Sequence, residues 1–431
     1  MAKMLTVEMQ IAARARKYAE EPITNLHHFI DLEVLHHSLD SLNKDGASGV
    51  DGQHWKDYDA RRDELLGVLI TAFKSGRYRA PNIRRVYIPK GDGGRRPLGM
   101  PTVEDKILQT AVNKVLTPIY EQIFYSSSYG FRPGKSPHQA LEQLFTEVSF
   151  KGKRYIIDAD MRNYFDSINH GRLREFLSQR IRDRVVTRMI NKWLKAGIME
   201  QGRVHYPEQG TPQGGNISPL LSNIYLHYVL DEWFFEQVQP LLKGSSTLIR
   251  FADDFVLLFS DKSDAKRVLK VLPKRLGKYG LSLHPDKTKL IELVRGEVQG
   301  PRTFDFLGFT HYVGKSRKGT RILKRKTSSK KLRGSLKRTG EWIKHNRHQS
   351  TRSLITQLNR KLDGHYGYYG ITFNSGGLHS YFEQVRRLLF KWLNRRGGKR
   401  KLIWEEYDVL ITRLIPLNKP KIYHNFSIAK P

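Results

Sequence analysis

Asp253 and Asp254 stand side by side in a stretch that is otherwise apolar, Leu248-Ile249-Arg250-Phe251-Ala252-Asp253-Asp254-Phe255-Val256-Leu257-Leu258-Phe259. Adjacent carboxylates at a strand turn repel each other, so the pair needs either full hydration, as in an Asx-type turn, or a bound cation. A second apolar run, Tyr155-Ile156-Ile157, ends in Asp158 and Asp160. Three carboxylates gathered at strand ends are the oxygen set for two Mg²⁺ ions roughly 3.5–4 Å apart, which activate a hydroxyl nucleophile and stabilise a departing pyrophosphate. Such phosphoryl transfer asks the protein for acids to hold metal, bases to hold phosphate, and rigid positioning.

Cations and small residues lie in the same chain. Lys90 and Arg96 bracket the tip Gly91-Asp92-Gly93-Gly94-Arg95; they read either as solvated turn charges or as a pair closing over a triphosphate. Gly210-Thr211-Pro212-Gln213-Gly214-Gly215-Asn216-Ile217-Ser218-Pro219 is a tight polar loop opening a helix, either a plain helix start or a close approach of backbone to a ligand. No GxxxxGK[ST] and no HExxH occurs, which excludes a Walker loop and a zinc-hydrolase helix. The 16 histidines lack paired metal spacing and read as surface or nucleic-acid contacts.

These residues need a frame. The 431 residues carry 75 Lys and Arg against 42 Asp and Glu, a formal charge of +33, and their 39% hydrophobic and 11% aromatic content suffices for packed cores. Such a surplus points to a polyanionic partner. Residues 301–431 hold 30 basic and 7 acidic side chains, net +23, against +10 for residues 1–300. The run Gly314-Lys315-Ser316-Arg317-Lys318-Gly319 marks the shift as a boundary. Before it, helical spacing over 28–43, 103–124, 218–238 and 263–279 mixes with hairpin patterns at 84–100 and 248–259. Beyond 315, Leu332, Leu336, Trp342 and Ile343, then Leu354, Ile355, Leu358 and Leu362, then Phe382, Val385, Leu388, Leu389 and Trp392 predict three amphipathic helices with a cationic outside. The absence of cysteine removes disulfides, thiolate zinc sites and cysteine nucleophiles. No apolar run reaches the roughly 18–20 residues of a membrane span, so no membrane partner is expected.

The ordered motifs resemble the reverse transcriptases of the bacterial group II intron type. Phe251-Ala252-Asp253-Asp254 is similar to the family's (Y/F)xDD box, with phenylalanine for the more frequent tyrosine. The others fall in the family's order: Ile88-Pro89-Lys90 with Arg96-Pro97-Leu98-Gly99; Tyr129-Gly130-Phe131-Arg132-Pro133-Gly134-Lys135-Ser136 with His138; Asp160 through Tyr164-Phe165-Asp166, then Asn169-His170. Gly210 to Gly215 with Ser218 to Leu226, Pro285-Asp286-Lys287-Thr288-Lys289, and Phe306-Leu307-Gly308-Phe309 complete the series.

The resemblance implies an α+β right-hand polymerase. Its parts would be an N-terminal helical extension (1–24), fingers and palm built on an antiparallel sheet plus helices (25–310), an all-helical thumb or X domain (311–396), and a short basic segment (397–431). Asp160, Asp253 and Asp254 match the catalytic metal triad for two Mg²⁺ ions, with Mn²⁺ as substitute, and Asp158 becomes a supporting residue. Phe165 matches the residue that excludes a ribose 2′-hydroxyl. Lys90 and Arg96 match triphosphate contacts, Gln213 the residue beneath the incoming nucleotide, Lys287 the lysine of the sixth box, and Leu307-Gly308 the primer grip. Lys324, Arg325, Lys330, Lys331 and Arg333 are expected to contact nucleic acid. The implied partners are an RNA template and primer duplex, dNTPs, group II intron RNA and a DNA target, in the bacterial cytosol and at the nucleoid when acting on DNA. Family members that cut DNA carry an HNH endonuclease with a cysteine zinc site; a chain without cysteine is not expected to have that activity. The alternatives are a domesticated relative serving phage defence, CRISPR adaptation or DNA repair, and an RNA-binding maturase with an idle polymerase.

Overall fold

The apolar spacing of residues 103–124 becomes one helix, Val103–Tyr120, in the computed structural model, opened by Thr102, whose hydroxyl accepts the Asp105 N–H. The structure describes residues 2–19, 21–89, 94–200, 202–206, 208–211, 214–293, 302–316, 318–397 and 401–426. The chain forms two units, Met1–Ala140 with Ala159–Lys289, and Leu141–Asp158 with Leu290–Pro431.

The strands of the first unit are β1 (Ile83–Pro89), β2 (Arg95–Met100), β3 (Tyr155–Asp160, whose last two residues belong here), β4 (Ile198–Glu200), β5 (Arg203–His205), β6 (Ser246–Phe251) and β7 (Asp254–Phe259). β1 and β2 are antiparallel, with Val86 opposite Leu98 and Ile88 opposite Arg96. The other edge of β1 runs parallel to β4, which turns back into β5, giving the order β2-β1-β4-β5. In the expected 28–43 helix, Asp31 intervenes. Its carboxylate accepts the Val34 N–H at 2.9 Å, so a short tight turn at Leu26–Phe29 is followed by a separate helix, Leu32–Asp40. The long apolar stretch after Ser218 begins as the helix Ser218–Leu226 and continues in wider π-type turns through Val238.

Asp105 is a buried carboxyl in this unit. Tyr78 donates its hydroxyl to Oδ1 at 3.1 Å and Trp193 its indole N–H at 2.8 Å. Burial nonetheless pushes its pKa up to about 7. A raised folded-state pKa means the native state binds the extra proton, so this contribution to stability is complete below the unfolded carboxylate pKa near 3.8 and is lost as pH rises through about 7. Asp105→Asn keeps an acceptor oxygen and removes the titration. Its Tm relative to wild type therefore rises between pH 5 and pH 8 in thermal denaturation, whereas parallel Tm curves would contradict the assignment.

The second unit holds β8 (Lys289–Glu292, without its first residue), β9 (Thr303–Phe306), β10 (Phe309–Lys315) and β11 (Arg321–Thr327), the last three ordered β11-β10-β9. The helical pattern expected from 315 therefore begins later: Gly314 and Lys315 end β10, β11 pairs back on it, and the first helix is Ser329–Asn346. Arg325 takes an inward position where an apolar residue would have completed the alternation after Leu323, so the apolar pattern does not mark this strand. Helices Ser329–Asn346, Thr351–Tyr369 and Ser375–Leu393 bury Ile343, Leu354, Leu358, Leu362, Leu378, Val385 and Leu389 together. A fourth helix, Trp404–Leu414, adds Tyr407 and Ile411 to that core, so the segment read as a short basic end is partly structural.

Candidate active site

β6 and β7 pair with Phe251 opposite Asp254, which leaves Ala252 and Asp253 as a two-residue turn. Turns this short require left-handed backbone, and Ala252 adopts it at φ 57°, a strained value for a residue with a Cβ. The surroundings hold it there. The guanidinium of Arg250, fully buried, donates to Asp231 Oδ1 at 2.8 Å and Oδ2 at 2.5 Å, to Asn223 Oδ1 at 2.8 Å, and to the Ala252 carbonyl at 3.1 Å. Asn223 in turn donates to the Gly130 carbonyl at 2.7 Å. A side chain at Gly130 would run into the backbone of Phe251 and Ala252, so only glycine lets these segments meet. Burial raises the Asp231 carboxyl, and the Arg250 charge works against that rise. Arg250, Asn223 and Asp231 were not singled out from sequence; an arginine inside an apolar strand was the available signal.

Asp160 ends β3. Its backbone carbonyl accepts the His284 N–H at 2.8 Å, and its carboxylate pairs with the Lys287 ammonium at 2.7 Å. Burial raises the Asp253 carboxyl, and the charge of Asp160 adds to this while Arg96 and Arg250 oppose it. Asp160, Asp253 and Arg96 thus share one electrostatic neighbourhood, with Asp254 next along the turn. Among the described residues no three acidic or imidazole groups converge tightly enough to hold a metal by themselves. The donor set still suits a hard divalent cation: the groups are carboxylate oxygens, Asp253 is held against its charge by burial and by Asp160, and Asp160 already attracts a cation in Lys287. Asp160, Asp253 and Asp254 would hold it.

The glycine-rich loop is tied to the segment after Asp160. Thr211 donates its N–H to the Phe165 carbonyl at 2.8 Å and Gly210 to that of Ile168 at 2.7 Å, while the Gly210 carbonyl lies 2.6 Å from His170 Nε2. Gly210 has φ 93°, and a Cβ there would sit 3.0 Å from Asp166. Phe165 is half-buried on the short turn of helix Tyr164–Ser167, and Tyr164 anchors that turn by donating its hydroxyl to the Ser222 carbonyl at 2.7 Å. Arg96 is exposed on β2. Lys90 and Gln213 lie outside the described residues. Phe131, missed from sequence as an individual residue, is 62% exposed at φ 57° with its ring 6.3 Å from that of Phe251.

In the second unit, Leu307 (φ 49°) and Gly308 (φ 83°) form the two-residue turn between β9 and β10, and Tyr368 donates its hydroxyl to the Leu307 carbonyl at 2.9 Å. Lys330, Lys331 and Arg333 are exposed on the first turns of helix Ser329–Asn346, and Lys324 is half-buried with its ammonium 5.8 Å over the Phe373 ring. Arg325 corrects the expectation of a phosphate contact. It is fully buried, with its guanidinium 4.3 Å from the Phe426 ring centroid and 5.5 Å from that of Phe145, and burial lowers its pKa to about 9. The alternation of β11 turns it inward, so it packs aromatic rings rather than facing solvent.

Residues 88–311 match the family model described as reverse transcriptase (RNA-dependent DNA polymerase), and they span every acidic residue of the site. The chain belongs to the reverse transcriptases. Residues 330–407 match the maturase-specific domain of group II introns, which makes this reverse transcriptase one of the group II intron type. Protein YkfC of Escherichia coli (strain K12) is 34% identical over 313 residues, covering 65% of this chain and 80% of that protein. The group II intron-encoded protein LtrA of Lactococcus lactis subsp. cremoris is 34% identical over 229 residues, 53% of this chain and 38% of LtrA. The telomerase reverse transcriptase of Takifugu rubripes is 23% identical over 184 residues, 41% of this chain and 17% of that protein. The reverse transcriptase thus spans four fifths of the first relative and less than half of the other two. The α+β class that the resemblance implies agrees with the mixed sheets and helices described above. Enzymes of this family use divalent metal ions. No helix among the described residues is long and apolar enough to cross a membrane.

Proposed function

We propose that the reverse transcriptase extends a primer 3′ end with dNTPs on an RNA template, using Asp160, Asp253 and Asp254 to hold two Mg²⁺ ions, with Mn²⁺ as substitute. The observation that carries this reading is the half-buried Asp253 in the β6–β7 turn, whose carboxyl is raised by burial and by the charge of Asp160 and lowered by that of Arg96. Bound ions would activate the primer hydroxyl and neutralise the departing pyrophosphate. The chain's own residues position the substrates. Arg96 and Lys287 supply positive charge for the triphosphate, Lys90 and Gln213 take the nucleotide-contacting roles that the motif resemblance implies, and Leu307-Gly308 grips the primer. The fingers and palm comprise residues 25–310 and the thumb 311–396. Lys324, Lys330, Lys331 and Arg333 contact phosphates of the template–primer duplex and of group II intron RNA, through backbone and shape as an A-form helix allows; a DNA target completes the set of partners. RNA-templated primer extension tests the reading.

Phe165 is the sugar gate in this account, held in place by Tyr164 and Thr211. Phe165→Ala lowers discrimination against rNTPs by roughly ten- to a hundredfold, the scale of a steric pocket contact, and leaves dNTP incorporation in place. Single-nucleotide incorporation with matched dNTP and rNTP series checks this; unchanged sugar selectivity contradicts it.

A further inference from the structure

Helix Arg184–Leu194 buries Val186, Met189, Ile190 and Trp193 on one side. Its other side is a ladder of like charge: Arg184, Arg188 and Lys192 at four-residue steps, followed by Lys195 just past the helix end. Repulsion at that spacing weakens a helix, so the ladder is not there for the helix's own sake. With Arg79 it lines a cavity of about 620 Å³ that has no carboxylate in its walls among the described residues. Arg79, Arg184, Arg188 and Lys195 are exposed, and none of the four makes an ion pair among the described residues. Lys192 alone is anchored, donating to the Gly76 carbonyl at 2.8 Å and to that of Tyr78. Tyr206 stands at the rim, 72% exposed.

A concave cationic wall beside a solvent-facing aromatic ring suits a single strand of nucleic acid, with phosphates on the basic side chains and a base on the ring. A duplex would need a broad surface rather than a cavity of this size. The cavity also has a direction. Tyr206 and Ala196 line a second cavity of about 260 Å³, whose other walls include Asp166, Gly210 and Thr211. Ala196 and Tyr206 are walls of both cavities, and Thr211 donates its N–H to the Phe165 backbone carbonyl, so the shared walls mark out a track toward the sugar-gate residue. We propose that this track seats the unpaired 5′ segment of the RNA template before it reaches the templating position. The proposal rests on the polymerase reading of the carboxylate site.

The test uses the full chain and labelled RNA templates annealed to a DNA primer, with a 5′ overhang of either one or about ten nucleotides. Wild type binds the longer overhang more tightly by fluorescence anisotropy. The triple variant Arg184→Gln/Arg188→Gln/Lys195→Gln loses that gain, roughly tenfold at low salt. Its salt slope on the long overhang is shallower by about 2, as three lost single-strand phosphate contacts require. Its binding and extension of the one-nucleotide overhang stay at the wild-type level. Tyr206→Ala, a change at one exposed ring, also reduces the overhang gain and serves if the triple variant folds poorly. An undiminished gain in both variants overturns the proposal. So does equal weakening on both templates, which would assign the cations to duplex or structured RNA. Failure of wild type to extend either template would instead defeat the polymerase reading, while the binding comparison would still decide the track.

Discussion

Arg250→Met lowers the stability of the fold by about 3–5 kcal/mol, because it leaves the Asp231 carboxylate buried without a partner. Asp231 is 1% exposed and its two oxygens are both taken by Arg250 in the native structure, so no other donor stands ready. The double variant Arg250→Met/Asp231→Leu regains most of the loss, since a buried ion pair replaced by apolar groups of similar volume is close to neutral. Activity does not return with it. The same guanidinium holds the carbonyl of Ala252, the strained residue that presents Asp253 and Asp254, and Met offers that carbonyl nothing. Displacing catalytic groups by an ångström costs on the order of a hundredfold in rate, so the stable double variant has a kcat lowered by about that factor. Urea denaturation and primer extension on the same preparations separate the two effects. A double variant that is both stable and fully active would show that Arg250 serves packing alone.

The second large effect divides one ion pair into two roles. Asp160→Asn reduces kcat by roughly a thousandfold, about 4 kcal/mol of transition-state charge stabilisation, as the proposed metal-holding role of this carboxylate requires. Lys287→Ala, at the other end of the same 2.7 Å contact, acts chiefly on dNTP binding and raises KM with a much smaller change in kcat. Both groups are well exposed, so neither substitution threatens the fold. Equal effects on kcat would mean that the pair works as a structural clasp.

The acids and glycine boxes were legible in the sequence because the chemistry demands particular residue types at particular places along a strand or turn. Asp253 and Asp254 in an apolar run, and Asp160 at the end of another, announce themselves without any fold. Arg250 does not. Its partners Asp231 and Asn223 lie 19 and 27 residues away, and only the fold brings them to the turn. Arg325 was misread for the opposite reason: in so basic a region a lone inward arginine looks like its solvated neighbours, and its aromatic partners Phe145 and Phe426 come from distant segments. The later start of the helix at Leu32 was available in principle, since Asp31 is a good N-cap, but the apolar periodicity ran through it.

Incorporation of dTTP on poly(rA) primed with oligo(dT), in Mg²⁺, tests the central claim most directly. Wild type extends the primer, Asp253→Ala falls to background, and both bind RNA with similar affinity. Equally poor incorporation by wild type and Asp253→Ala, with tight RNA binding intact, would contradict the account and leave an RNA-binding protein with an idle polymerase.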